Sequence, residues 1–411
     1  MYRLQQHSHD WTSGRPVFTT CPVGKTRVGQ ELIQGAIDPS IHFNQSPLIP
    51  IVSIMPVVTN GRVIYLGHPE GIYQPGVHTK YVEEQLDTDA VPLNGGILVK
   101  LLAISSDPYM RHRMRDPTIK MFAPPVTVGE PIDNFSVAKV VRSEDSAYSP
   151  GDYVIGYFSF EHYSVHPGHI KHEFKHCVKV PKIPGLPLSA FVGILGLTGR
   201  TAFTGWHLYA KKKAETSKTL FVSGGAGAVG TWLIEYVKAI HPHLKIIASA
   251  GTKPKVDLLK SLGTDVAFNY KEENAEKILA EHGPIDIYWD NVSGAQTDAA
   301  LVNMSMFGLI LACGAIAGLN KEDEGIVRHF EKIFERYLTV QGFLFRTGPD
   351  AERAFNEFDQ EVFPLLQAGK IQNREHRFIG LQNSEKALLA VHTGENFGKA
   401  VIIVDEEGGE A

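Results

Sequence analysis

A glycine-rich turn near the middle of the chain, in the segment LFVSGGAGAVGTW, joins an apolar stretch to the start of an amphipathic one. Its glycines are spaced as Gly225-x-Gly227-x-x-Gly230, which is the spacing of a turn that binds the pyrophosphate of a dinucleotide. Gly225 permits the tight turn, Gly227 lets phosphates approach the backbone, and Gly230 lets the helix pack closely on the strand. Glycine-rich turns are common, so the surrounding sequence has to decide whether this one binds a ligand.

Apolar strands and amphipathic helices alternate on both sides of this turn. We predict strands at TLFVSG, KIIASAG, DVAFNY, IDIYWDNV, GLILACGAI and LTVQGFLF. Between them we predict helices at 228–240, KPKVDLLKSLG, ENAEKILAEHG, AQTDAALVNM and GIVRHFEKIFERY. This alternation indicates a doubly wound parallel sheet, in which the glycine turn opens the first helix and can hold a phosphate at the helix N-terminus.

The regions before and after this sheet differ from it. Residues 56–185 contain short β-rich segments, such as GGILVKLLAIS, FSVAKVVRS and DYVIGYFSF, which indicate a β-barrel domain. We predict that 370–404, through the strand GKAVIIVD, completes this barrel and that 186–369 form the dinucleotide-binding domain. Residues 1–55 show no periodicity, which favours a disordered extension. An over-extended gene model and a mitochondrial address remain open for them.

Composition excludes several classes of function. The net charge of −5 gives no basic bias toward nucleic acid, and no apolar run reaches the length of a membrane span. Cys21, Cys177 and Cys313 are far apart, which fits a cytoplasmic protein without a disulfide framework. The histidine-rich segment EHYSVHPGHIKHEFKHC is interpreted as a polar barrel surface or loop, because its spacing does not match a zinc site. We therefore expect chemistry without a metal.

The end of the second strand of the parallel sheet distinguishes NADP from NAD. An NAD site usually carries an acidic residue there, but this chain reads IIASAGTKPK. Lys253 and Lys255 would attract a 2′-phosphate, whereas a carboxylate would repel it. The two lysines could instead form a solvated face, although ammonium groups are unfavourable in the first turn of a helix. The sequence favours NADPH.

Together these features resemble the zinc-free medium-chain dehydrogenase/reductases, in the group of leukotriene B4 dehydrogenases, prostaglandin reductases and plant double-bond reductases. The resemblance covers about residues 57–404 and rests on SSDPYMRHRM, AGAVG, AGTKPK, FNYK, DNVSG, MFGLILACGAI and GENFGKAVI. It implies a GroES-like β-barrel plus a Rossmann domain, and NADPH-dependent reduction of the C=C bond of α,β-unsaturated ketones or aldehydes. It also implies a homodimer, because the strand LTVQGFLF lies near the dimer interface in such enzymes.

The resemblance further assigns site residues. The implied cofactor contacts, which include the glycine turn, are Gly225, Ala226, Gly227, Ala228, Val229, Gly230, Lys255, Tyr270, Asn291, Cys313, Gly314, Ala315, Ile316, Phe343, Leu344, Phe345, Arg346 and Asn396. Among them, Lys255 and Tyr270 match the 2′-phosphate end, and Asn396 matches an asparagine that reaches the nicotinamide. Tyr109 matches a pocket tyrosine and is the candidate catalytic donor, because hydride addition to an enone leaves negative charge on the carbonyl oxygen.

Several alternatives remain open. Tyr109 could be a packed aromatic residue under the barrel rim, with the cofactor ribose as the donor. Leu319 stands where many relatives carry a tyrosine, and Arg200 stands where a small or apolar residue is common. Both departures leave the substrate range open. A quinone reductase of the same superfamily and a non-catalytic nucleotide-binding relative are the competing functions.

Overall fold

The computed structural model describes residues 57–168, 177–346 and 350–410. The N-terminal extension 1–55 and His169, His172 and His176 of the histidine-rich segment lie outside the described residues. In the described part of the chain, no helix has the length and apolar character needed to cross a bilayer.

Strands and helices follow the predicted change from a β-rich region to alternating elements. The strands are β1 (Val58–Tyr65), β2 (Thr79–Leu86), β3 (Ile97–Ser105), β4 (Asp133–Ser143), β5 (Tyr153–Ser159), β6 (Tyr163–His166), β7 (Val178–Lys179), β8 (Thr219–Val222), β9 (Lys245–Ala250), β10 (Val266–Asn269), β11 (Ile285–Asp290), β12 (Met304–Ala312), β13 (Thr339–Gly342), β14 (Glu375–Ile379) and β15 (Lys399–Ile403). The helices are α1 (Met110–Arg113), α2 (Leu197–Gly205), α3 (Lys211–Ala214), α4 (Ala228–Ile240), α5 (Lys253–Ser261), α6 (Ala275–His282), α7 (Ala295–Asn303), α8 (Lys332–Glu335), α9 (Ala351–Gln367), α10 (Ser384–Thr393) and α11 (Glu406–Gly409).

The six-stranded sheet is parallel and has the order β10-β9-β8-β11-β12-β13. This is the order of a doubly wound dinucleotide fold, in which the chain reverses direction across the sheet between β8 and β11. The glycine turn follows β8, and α4 begins at Ala228 and ends at Ile240 as predicted. Ligands of such folds bind in the crevice at the carboxyl ends of these two central strands.

The second large sheet combines N-terminal and C-terminal segments. Its order is β14-β15-β3-β4-β5-β7, with β6 on β3, and β15 pairs antiparallel with β3. Ser105 and Val401 are register partners. The strand in GKAVIIVD therefore pairs with a strand of the β-rich region that lies some 300 residues earlier in the chain. The α/β architecture predicted from the sequence, with a β-rich part beside a doubly wound parallel sheet, is confirmed.

The predicted helix GIVRHFEKIFERY is wrong for most of its length, because only Lys332–Glu335 is α-helical. The backbone amides of Arg328 and His329 donate to Asp298 Oδ1 at 2.7 and 2.9 Å rather than to carbonyls one turn earlier. A side-chain acceptor from α7 thus replaces the helical hydrogen bonds. The strand predicted at LTVQGFLF is also shorter, since β13 ends at Gly342.

Residues 188–214, which precede β8, form a short 3₁₀ helix, α2, a π-helical turn and α3. The histidine-rich segment differs from the sequence-based interpretation. His166 does not lie on a polar surface: it ends β6, is 6% exposed and packs against the Phe158 ring with centroids 5.0 Å apart. His162 is half-buried and accepts a hydrogen bond from the Gly61 amide at 3.1 Å.

Candidate functional site

A cavity of about 1550 Å³ opens at the carboxyl ends of β8 and β11 and extends to the β-rich sheet. It is larger than a typical small-ligand pocket and has room for a dinucleotide together with a substrate. The predicted cofactor residues that line it are Ala226, Gly227, Ala228, Val229, Gly230, Lys255, Tyr270, Asn291, Cys313, Gly314, Ala315, Ile316, Phe343, Leu344, Phe345, Arg346 and Asn396. Tyr109 also lines this cavity, whereas Gly225 does not.

The three glycines of the turn serve different purposes. A Cβ on Gly225 would lie 3.0 Å from Leu259 Cδ2, and one on Gly230 would lie 2.6 Å from the Gly225 backbone, so both glycines are needed for internal packing. A Cβ on Gly227 would meet a single carbonyl oxygen at 3.3 Å, because this residue faces the cavity. The first backward bond of α4 runs from the Thr231 amide to Gly227, so the amides before it have no acceptor within the helix.

The two lysines of AGTKPK have different surroundings. The Lys253 side chain is 79% exposed and pairs with Asp257 on its own helix. Lys255 is 9% exposed, lines the cavity and donates to the Gly394 carbonyl at 2.6 Å. Burial lowers the pKa of Lys255, and the positive charge of Lys271, which also lines the cavity, lowers it further. The sequence did not single out Lys271, although it directly follows Tyr270 of FNYK.

Asn291 anchors the end of β11. Its Nδ2 donates to the Ser223 carbonyl at 2.8 Å, and its Oδ1 accepts from Trp289 Nε1 at 3.0 Å. The amides of Cys313 and Gly314 donate to the Asp290 carbonyl at 2.9 and 3.0 Å. The Asn291 side chain therefore joins the ends of β8 and β11, and the Asp290 carbonyl holds the start of the 313–316 loop that lines the cavity.

Asn396 lies where the glycine turn meets the start of β15. Its Nδ2 donates to the Gly398 carbonyl at 2.9 Å, and the Gly398 amide donates to the Ala226 carbonyl at 3.0 Å. The glycine turn is thus hydrogen-bonded to the segment that leads into β15 of the β-rich sheet.

The stretch 343–346 packs against aromatic rings at both of its ends. The Phe343 ring packs edge-on against Trp289 with centroids 5.5 Å apart, and Gly205 leaves room for it, since a Cβ there would lie 2.3 Å from Phe343 Cζ. At the other end the Arg346 guanidinium lies 4.9 Å from the centre of the Phe355 ring on α9.

The two departures from the family pattern have different positions. Leu319 lines the cavity and contributes no hydroxyl group there. Arg200 is not part of the cavity wall: its guanidinium lies 4.0 Å from the Phe355 ring centre and donates to Asp359 Oδ1 at 2.9 Å. Arg200 therefore joins α2 to α9, and its guanidinium shares the Phe355 ring with that of Arg346, which lines the cavity.

Tyr109 belongs to a buried hydrogen-bond network that sequence reasoning did not detect. Its hydroxyl donates to Asn134 Oδ1 and lies 3.2 Å from the hydroxyl of Tyr157, which also lines the cavity. Burial raises the pKa of both phenols. Behind them, Asp107 of SSDPYMRHRM forms a 2.7 Å ion pair with Lys399 of GENFGKAVI, so two of the seven motifs meet here.

His392 gives the protein a specific pH dependence. Burial, helped by Arg111 and His112, lowers the pKa of His392 from 6.5 to about 4. Between these values the unfolded chain binds the proton and the folded chain does not, so stability falls as the pH falls, by about 1.4 kcal/mol per pH unit from this group. We expect the urea midpoint to fall from pH 6.5 to 4.5 less steeply in His392→Phe than in the wild type. Equal slopes for the two proteins would contradict this assignment.

Among the described residues, one group of three side chains has metal-ligand spacing: His207, Glu357 and Glu361. None of the three lines the cavity, and Lys211 Nζ lies 2.9 Å from Glu361 Oε1.

Comparison with known proteins agrees with this architecture. Residues 63–173 match the family described as the N-terminal domain of oxidoreductase, and residues 228–367 match the family described as zinc-binding dehydrogenase. Dehydrogenase FUB6 of Fusarium oxysporum f. sp. lycopersici is 32% identical over 85% of this chain and 99% of its own length. The NADP(+)-dependent 2-alkenal reductase of Nicotiana tabacum is 38% identical over 76% of this chain and 88% of its own.

A solved structure has the same overall arrangement. CurA of Vibrio vulnificus, in complex with NADPH, superposes with a TM-score of 0.73 at 28% identity, covering 84% of this chain and 99% of CurA. The family predicted from the seven motifs is confirmed, as is the fold of a GroES-like domain beside a Rossmann-like sheet. The chain belongs to the medium-chain dehydrogenase/reductases, in their zinc-free double-bond reductase group.

Proposed function

We propose that this NADP-dependent oxidoreductase reduces the C=C bond of α,β-unsaturated ketones or aldehydes. The observation that carries the proposal is a pair of partly buried phenol hydroxyls, from Tyr109 and Tyr157, in a part of the cavity wall that also carries the rings of Phe122 and Phe135. The rings of Phe122 and Phe135 lie 6.4 Å from Tyr109 and 6.0 Å from Tyr157. Such a wall accepts an apolar substrate and offers hydrogen bonds to one oxygen atom.

The cofactor end of the same cavity fits a 2′-phosphorylated dinucleotide. Gly227 leaves the cavity side of the turn open, and the first amides of α4 supply donors for a pyrophosphate. Gln296 lines the cavity and is buried, and its Nε2 has no partner among the described residues. Lys255 and Lys271 supply positive charge for a 2′-phosphate. The sequence IIASAGTKPK at the end of β9 carries no acidic side chain that would repel it.

The chain's own residues stabilise the negative charge that develops on the substrate oxygen during the reaction. NADPH, when bound, supplies a hydride for the β-carbon of the substrate. The electrons of the C=C bond then move onto the carbonyl oxygen as an enolate, which a phenol hydroxyl stabilises in surroundings of low polarity. Because burial raises the pKa of Tyr109 and Tyr157, both phenols stay protonated at neutral pH. A proton from solvent completes the reduction at the α-carbon.

The test is NADPH consumption with a panel of enones, enals and quinones, run beside NADH, with the products identified by mass spectrometry. We expect saturated ketones or aldehydes, formed with NADPH in preference to NADH. Hydroquinones as the main products would replace the proposal with a quinone reductase. Tight NADPH binding without turnover of any panel member would favour a non-catalytic relative.

We also propose that the enzyme is a homodimer formed through the β13 edge of the parallel sheet. Beyond β13 this sheet has no further strand in the described chain, and the neighbouring surface exposes large apolar side chains. Phe307, Phe330, Phe334 and Tyr337 are 64–72% exposed, and an apolar surface of this kind is typical of an interface. Sedimentation of the purified protein distinguishes a dimer from a monomer.

A cytoplasmic location is proposed from the cysteines. Cys177 and Cys313 are unpaired thiols in the described residues, and burial raises the pKa of Cys177 to about 12. Reduced, unreactive thiols fit a reducing compartment.

A further inference from the structure

The amide of Asn134 has a fixed orientation. Its Nδ2 donates to the Ser105 carbonyl at 2.7 Å and to Asp107 Oδ2 at 3.0 Å. A carbonyl and a carboxylate only accept hydrogen bonds, so turning the amide over would place its oxygen against two acceptors. Oδ1 of Asn134 therefore faces Tyr109, and it can only accept.

An ion pair holds this amide in place independently of any ligand. Asp107 accepts from Lys399 Nζ at 2.7 Å and from the Ser105 hydroxyl, and Lys399 also donates to the Ser106 carbonyl at 2.7 Å. The side chains of Asp107 and Lys399 are 6% and 5% exposed. Each partner of Asn134 is thus itself anchored in the protein interior.

The Tyr109 hydroxyl has one proton, and its acceptors are Asn134 Oδ1 and, at 3.2 Å, the Tyr157 hydroxyl. Toward the rest of the cavity Tyr109 therefore presents lone pairs, which cannot stabilise a negatively charged oxygen. Neither of these two contacts uses the Tyr157 hydrogen. Tyr157 can donate this hydrogen to a substrate oxygen without breaking the buried network.

The geometry points to Tyr157 as the catalytic hydrogen-bond donor to the carbonyl oxygen of the enone, with Tyr109 as the residue that positions it. This inference rests on the proposed function and deepens it. No covalent bond to Tyr157 forms, because its O–H only donates to the enolate oxygen while solvent supplies the proton for the α-carbon. The positive charge of Arg346, on the stretch 343–346, also acts on the Tyr157 phenol.

The experiment compares Tyr157→Phe and Tyr109→Phe with benzylideneacetone as the enone. We expect Tyr157→Phe to lower kcat about 100- to 1000-fold, as for the loss of one donor to an oxyanion, with the Kd for NADPH unchanged. Tyr109→Phe should lower kcat by about tenfold or less, because the donor remains. The matched control is Tyr153→Phe, on the same strand β5 and outside the cavity, which should leave kcat unchanged.

A second readout does not depend on turnover. The carbonyl stretch of carbonyl-labelled benzylacetone bound to the NADP⁺ complex, measured by infrared difference spectroscopy, should lie at lower frequency in the wild type and in Tyr109→Phe. Tyr157→Phe should lose this shift. A larger loss of kcat or of the shift in Tyr109→Phe would overturn the inference and make Tyr109 the donor. Failure of the wild type to form benzylacetone would overturn the proposed function instead, and the infrared shift would still decide between the two hydroxyls.

Discussion

Replacing Lys255 with alanine is expected to raise the Kd for NADPH about 10- to 100-fold and to leave that for NADH nearly unchanged. The Lys255 ammonium is buried at the cavity wall and uses one donor on the Gly394 carbonyl, so further donors remain for a phosphate. The charge of Lys271 lowers the pKa of Lys255, which means that the two cations repel each other until an anion joins them. Fluorescence titration of the protein with each dinucleotide measures both constants.

Lys253→Ala is the matched control for this prediction. Lys253 lies two residues away on the same helix, but its side chain is 79% exposed and pairs with Asp257. We expect less than a twofold change in the Kd for NADPH, because exposed pairs of this kind contribute little. Equal weakening of NADPH and NADH binding by Lys255→Ala would show that the lysine supports the fold of the site rather than a 2′-phosphate.

Local patterns predicted the parallel sheet well. The alternation of short apolar runs with amphipathic helices, and the glycine spacing after β8, are signals that depend on neighbouring residues alone. Helix α4 was therefore predicted with its observed ends, 228 and 240. The helix predicted at GIVRHFEKIFERY was wrong for the opposite reason. Two of its amides donate to Asp298, a residue some 30 positions away, and no local pattern shows such a contact.

The candidate site likewise depends on tertiary contacts that no local sequence pattern shows. The motif SSDPYMRHRM predicted Tyr109 in the pocket, but the partners that determine where its proton points come from other segments. Asn134 is 25 residues away, Tyr157 is 48 away, and Lys399 is 292 residues from Asp107. Hydrogen-bond direction depends on these tertiary contacts, so a motif can identify a tyrosine without showing whether it donates or accepts.

Replacing Lys399 with methionine is expected to lower the free energy of unfolding by about 3–5 kcal/mol. The substitution leaves the Asp107 carboxylate buried without its cation, and the cost of an uncompensated buried charge exceeds the value of the pair itself. This loss is a large part of the stability of an ordinary protein, about 5–15 kcal/mol. Urea unfolding followed by fluorescence measures it, because the free energy falls linearly with denaturant concentration.

Two further variants separate the buried ion pair from a general effect of losing a lysine. Lys182→Met removes a cation that is 58% exposed and pairs with Glu407, and it should cost far less stability than Lys399→Met because exposed pairs contribute little. Adding Asp107→Asn to Lys399→Met removes the buried charge, so the double variant should be less destabilised than the sum of the two single variants. Additive losses, or a Lys399→Met protein as stable as Lys182→Met, would contradict a coupled ion pair behind the two tyrosines. The network would then hold Asn134 through its contact with the Ser105 carbonyl, and the direction of the Tyr109 proton would no longer depend on Lys399.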